Sequence, residues 1–184
     1  MAPAGGARIR PPARPDTARP RDAQVGRLYD AEHLVHRIFD RAADFPIVEI
    51  AGSRVAVPVE RRFGSVTAVQ TYVDAVLRLN WVRATWERAE LPVRVRARAG
   101  NTAAHYESAT GVIAVPDPAR GPSWAMRELV VLHELAHHLA PTDESPPHGG
   151  PFVGRMLELA DGVIGPEAAF LLRVTFLDCG VHLG

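Results

Sequence analysis

Lysine is missing from this chain. All 21 of its basic residues are arginines, matched by 21 acidic residues, so the formal charge is zero. A neutral chain lacks the cation surplus that phosphate neutralisation demands, which excludes a dedicated nucleic-acid binder and leaves only local patches open. The lysine gap beside abundant Ala, Val and Arg reads as codon bias towards GC-rich DNA and carries no function. Cysteine is nearly missing too: Cys179 stands alone. A single thiol makes neither an internal disulfide nor a CxxC zinc ribbon, which removes secreted disulfide-stapled domains and cysteine-zinc modules together. Any metal must therefore be held by His, Asp or Glu. Long apolar runs are also lacking. No stretch approaches the roughly 20 residues that span a bilayer, and the N-terminus has no hydrophobic core followed by a small-residue cleavage site. The expected address is the cytoplasm.

What is present suits one globular domain of 184 residues, 47% of them hydrophobic. Residues 1–21 hold five prolines and five arginines and almost nothing large and apolar, so a flexible tail is expected there and a folded domain over 22–184. From Asp22, read as an N-cap, apolar residues recur at helical spacing up to a stop before Pro46. Two strands follow, Ile47 to Ile50 and Arg54 to Val59, around a Gly52-Ser53 turn. Ser65 caps a second helix running to about Asn80 or somewhat beyond. Three antiparallel strands are expected at Val93 to Arg98, Ala103 to Tyr106 and Gly111 to Val115. Ser123 to Leu139 is apolar around nearly the whole helical circumference, the mark of a buried helix. After a Pro- and Gly-rich loop, helices are expected from Phe152 to about Val163, and from the Gly165-Pro166-Glu167 start signal through Leu177. The fold class is α+β, a small, mostly antiparallel sheet packed against helices.

Inside the buried helix lies His133-Glu134-Leu135-Ala136-His137, an H-E-x-x-H sequence. Residues four apart share a helical face, so two imidazoles converge while Glu134, rotated by about 100°, flanks them. The composition of this chain predicts only about 0.02 chance matches to that pattern. Three titratable side chains buried in an apolar helix would each cost several kcal/mol without partners, and a metal supplies the partner. Catalytic zinc takes three protein ligands, so a third is owed. His148, eleven residues on in a Gly-rich loop, is favoured because neutral imidazole is zinc's common ligand; Asp143 and Glu158 are the alternatives. His138 is turned away from His137 and reads as structural, and His33, His36 and His182 as ordinary core or surface residues.

With Zn²⁺ on His133, His137 and His148, the expected reaction is peptide or amide hydrolysis by a metal-activated water, with Glu134 as general base. His105, Tyr106 and Arg173 are candidates to stabilise the oxyanion. The expected partner is a peptide or protein substrate, not a membrane and not nucleic acid. The rival from another class is a non-catalytic metal-stabilised binding module. A purely structural site has no use for Glu134 and is usually closed by four protein ligands.

His133 to His137 followed by His148-Gly149-x-x-Phe152 resembles the SprT-like zinc metallopeptidase signature, H-E-x-x-H then H-G-P-x-F, with a shorter spacer and Gly150 in place of Pro. Tyr29 to Glu32, Pro58 to Ser65, His133 to Pro141 and Arg173 to Asp178 are similar to an uncharacterised actinobacterial family of H-E-x-x-H metallohydrolases. The resemblance implies a zincin-like metallopeptidase domain in which the strand Gly111 to Val115 runs along the cleft. The SprT analogy, with Arg94, Arg96 and Arg98 on alternate strand positions, also raises a DNA-associated protease; a solvated sheet face is the simpler reading of those arginines.

Overall fold

The computed structural model describes residues 22–100, 103–121 and 123–184. The expected tail at 1–21 lies outside them. The first helix, α1 (Val25–Asp40), buries Leu28, Ala31, Glu32, Val35, His36 and Phe39 along one stripe. Its N-cap is Gln24 and not Asp22, which is engaged elsewhere. The strands β1 (Ile47–Ile50) and β2 (Ser53–Ala56) form an isolated antiparallel hairpin in which Ile50 faces Ser53. The turn is therefore Ala51-Gly52, one residue earlier than expected, with φ of 49° and 74°. Two consecutive positive φ values match the strand twist, and Gly52 meets the second without strain.

Helix α2 (Val66–Leu77) starts where Ser65 accepts a hydrogen bond from the Ala68 amide at 3.0 Å, as its sequence suggests. It stops earlier than expected, because Leu79 is extended before a short α3 (Asn80–Thr85) and a 3-10 turn at Glu87–Glu90.

The three-stranded sheet departs from an all-antiparallel reading. Strands β3 (Arg94–Arg98), β4 (His105–Glu107) and β5 (Val112–Pro116) lie in the order β3-β5-β4, with β3 parallel and β4 antiparallel to β5. The chain does reverse at each step, but β5 slots between the other two. Its five residues are all buried, whereas β3 and β4 carry charged side chains. A strand apolar on both faces takes the middle, and the two that bear polar groups take the edges.

Helix α4 (Glu128–His138) begins five residues later than its apolar pattern implies. Met126 lies in a bend and Arg127 is extended instead: the Met126 carbonyl accepts the Phe63 amide at 2.9 Å, and Arg127 bridges Arg62. Helices α5 (Gly150–Val163) and α6 (Pro166–Asp178) complete the order. Helix α4 packs against α5 and β4, α5 against α6, α6 against α1, and α2 against β3. The architecture is α+β, and no helix among the described residues is long and apolar enough to cross a membrane.

Candidate metal centre

Helix α4 is buried at every position except His137, which is half-buried. The i, i+4 spacing brings His137 Nε2 to 3.2 Å from His133 Nε2. From the loop after α4, His148 brings its own Nε2 to 3.1 Å from that of His137. One ligand atom from each of the three lies within 4.8 Å of the others. Asp143 and Glu158, the alternative third donors, are exposed: Asp143 lines a neighbouring cavity and Glu158 a groove beside Arg173.

The tautomers follow from the far nitrogens. His133 Nδ1 lies 2.8 Å from Glu32 Oε1, and His148 Nδ1 lies 2.6 Å from Asp22 Oδ2. A ring nitrogen that faces a carboxylate carries the hydrogen, so His133 and His148 turn Nε2 inwards, the atom that offers a lone pair when the ring is neutral. His137 Nε2 faces both. One proton can serve only one of these contacts, whereas a cation serves all three. The spacing suits such an ion: tetrahedral zinc with bonds of about 2.0–2.1 Å separates its ligand nitrogens by about 3.3 Å. The donor set therefore fits zinc.

Local electrostatics separates the three rings. Burial pulls the His133 pKa down, but the charge and hydrogen bond of Glu32 outweigh it, and the net is a push up to about 9. His137 is pushed down to about 2, by burial and then by its neighbours His133 and His148, and burial also lowers His148. Glu134 sits 6% exposed with its carboxyl pKa raised, chiefly by burial, against the opposing pull of His133 and a hydrogen bond from the Tyr106 backbone.

The loop that delivers His148 is pinned. Arg155, buried on α5, donates from Nε to the Ala136 carbonyl of α4 at 2.6 Å and from a terminal nitrogen to Glu144 of the loop at 2.6 Å. Gln24 donates to the His148 carbonyl at 2.7 Å. Phe152 packs its ring 4.5–5.0 Å from all three imidazoles, and Tyr29 stacks on His133 at 5.6 Å. Gly150 stands against Gly184: a Cβ there would lie 2.6 Å from the Gly184 Cα, so this position leaves no room for a side chain.

A cavity of about 530 Å³ reaches His137 and is lined by Arg88, Tyr106 and the loop from Ala140 to Pro147. A smaller one of about 80 Å³ touches His133 and Glu134. The outer edge of β4 borders both, through Ala103 and Ala104 at one end and Tyr106, Ser108 and Ala109 at the other. The cleft thus runs along β4, while β5, expected there, is the sheet's middle strand. His138 is structural, as expected: Nε2 donates to the Arg88 carbonyl at 3.0 Å, so Nδ1 accepts the Tyr106 hydroxyl at 3.0 Å. His105 is exposed and faces Glu107, and Arg173 lies exposed on α6; neither lines the cavities at His133 and His137.

Sequence reasoning missed Glu32 and the true task of Asp22. The signal for Glu32 was available, since a carboxylate within the apolar stripe of α1 needs a buried partner. Comparison with protein-family models, curated proteins and solved structures finds no match to this chain.

Proposed function

We propose that the chain is a zinc-dependent metallohydrolase of zincin-like architecture that cleaves peptide or amide bonds. One observation carries the reading: three Nε2 atoms converge beside a buried glutamate, with a cavity opening at the half-buried member of the three. His133, His137 and His148 would hold the ion. When bound, zinc acidifies a water molecule and polarises a carbonyl oxygen. Glu134 takes up a proton on its carboxylate and returns it to the leaving amine, and its raised pKa brings its basicity closer to neutral pH. The backbone hydrogen bond from Tyr106 keeps that carboxylate on the cleft side of α4.

Tyr106 directs its hydroxyl hydrogen at His138, so it is not a free donor. Arg88 shares the larger cavity with His137, donates to the Tyr106 oxygen at 3.3 Å, and is the better group to meet developing negative charge. As an edge strand, β4 offers its backbone to an extended peptide by strand addition, so main-chain bonds would carry much of the recognition.

A binding module stabilised by metal is the weaker reading, because among the described residues only three donors gather and a cavity reaches them. DNA association draws little support from the β3 arginines: Arg96 is paired with Glu107, and Arg98 donates to the Ala103 carbonyl at 2.8 Å. The test compares wild type with Glu134→Gln on a peptide library after zinc loading. Turnover should fall by roughly 10²–10⁴-fold with zinc content unchanged. Equal turnover by both proteins would remove the hydrolase and leave the binding module.

A further inference from the structure

The small cavity beside Glu134 is lined by two residues, His36 and Glu32, that keep polar atoms without a partner among the described residues. His36 lines it and is 6% exposed; its Nδ1 is sealed in the core without a hydrogen-bond partner, and its Nε2 makes no bond among the described residues. Burial and then the nearby Arg127 guanidinium push its pKa down to about 2, so the ring is neutral at any working pH. Glu32, 7% exposed, also lines the cavity. Its Oε1 is spent on His133, the one hydrogen bond that the Glu32 carboxylate makes among the described residues, which leaves Oε2 free to accept. The remaining walls include Tyr29, Ala104 and Trp124.

Size and chemistry restrict the occupant. At about 30 Å³ per water-sized heavy atom, the cavity of about 80 Å³ holds roughly three such atoms. A carboxylate oxygen calls for a donor and repels anions, and the neutral imidazole offers one further hydrogen bond. A hydroxyl meets both, donating to Glu32 and exchanging a second bond with His36.

We propose that this cavity is a specificity pocket for an unmodified serine or threonine side chain next to the scissile bond. The assignment rests on the hydrolase reading above and names the substrate class of that same site. It makes a sharp demand, because a pocket built to bond a hydroxyl rejects the isostere that lacks one far more strongly than an apolar pocket sorts by size.

The experiment uses zinc-loaded Glu134→Gln protein, which reads binding without turnover. Alanine-frame peptides carrying one Thr, Val, Ser, phosphoserine or Leu are titrated by calorimetry. Threonine should bind at least tenfold more tightly than valine, serine should follow threonine, and phosphoserine and leucine should lose measurable binding. Adding His36→Phe should bring threonine and valine within twofold at unchanged zinc content, and adding His36→Gln should restore part of the difference. Threonine and valine within twofold in the starting protein, leucine ahead of threonine, or no peptide bound at all would overturn the pocket. The two readings fail separately. Wild-type turnover that depends on Glu134 but ignores the hydroxyl sinks only the pocket. Selective threonine binding without turnover by wild type sinks only the hydrolase.

Discussion

The two ends of α4 bury charge in opposite ways. At its start, Arg127 is 2% exposed and its Nε lies 2.9 Å from both oxygens of Glu60, which also accepts the Leu129 amide at 3.1 Å. The neighbouring Glu128 accepts the Arg61 amide at 3.0 Å and pairs with the Arg61 guanidinium. Glu60 thus takes a free amide at the positive end of the helix, Glu128 adds negative charge to its first turn, and both carboxylates are matched by an arginine. Further along the helix and in the loop beyond it, His133, His137 and His148 turn their Nε2 atoms towards one another, and a single proton can bridge only one pair of them. Burial of polar groups therefore does not by itself mark a functional site. What marks it is a set whose members satisfy outside partners and leave one shared demand in the middle.

That contrast can be broken at either end. The largest effect is expected from His148→Ala, which leaves two ligands: zinc at micromolar concentration should no longer co-purify, as read by elemental analysis, while the metal-free protein keeps its helical circular dichroism. Full occupancy in this variant would move the third ligand elsewhere. Next comes Arg127→Met, which strands Glu60 in the interior. It should lower unfolding stability by about 3–5 kcal/mol in urea titrations and leave the zinc stoichiometry of the folded fraction unchanged. Asp22→Asn keeps the shape but weakens the acceptor for His148 Nδ1; zinc affinity should drop about 10–100-fold, measured by competition with a chelator.

The smallest step is a pH dependence. The metal-free site holds a proton on His133 up to about 9, so zinc must displace that proton below this pH. Affinity should rise about tenfold per pH unit between 6.5 and 9 and then level off. The sign reverses for the metal-free fold: a raised histidine pKa stabilises it fully below the unfolded value near 6.5, and that contribution disappears as pH climbs through about 9. A flat affinity profile would mean that the Glu32 carboxylate does not hold a proton on His133.

Local periodicity carried much of the reading. His133 and His137 needed only the geometry of one turn, and His148 only the chemistry of imidazole, so the triad was legible before any tertiary structure. The helices α1, α2, α5 and α6 were legible for the same reason, being amphipathic over three turns or more. What stayed hidden depends on distant pairing. Nothing near Asp22 announces His148, and its position ahead of an apolar run imitates a helix cap. The start of α4 was misplaced because residues 61–63 claim the Met126 carbonyl and the extended Arg127, against the apolar pattern around them. The parallel β3–β5 pair follows from which strand is drier, a comparison among three segments that no single segment reveals.

The carboxylates that orient the imidazoles come from the opening helix and the residues just before it, 126 and 101 positions away from the rings they hold. During synthesis the ribosome delivers Asp22 and Glu32 long before His148 exists, and a nascent chain stopped short of that loop owns two rings and no closed trio. Ion capture at this trio would thus belong to the last stage of maturation, after the long-range topology is assembled, and metal loading would report completed folding.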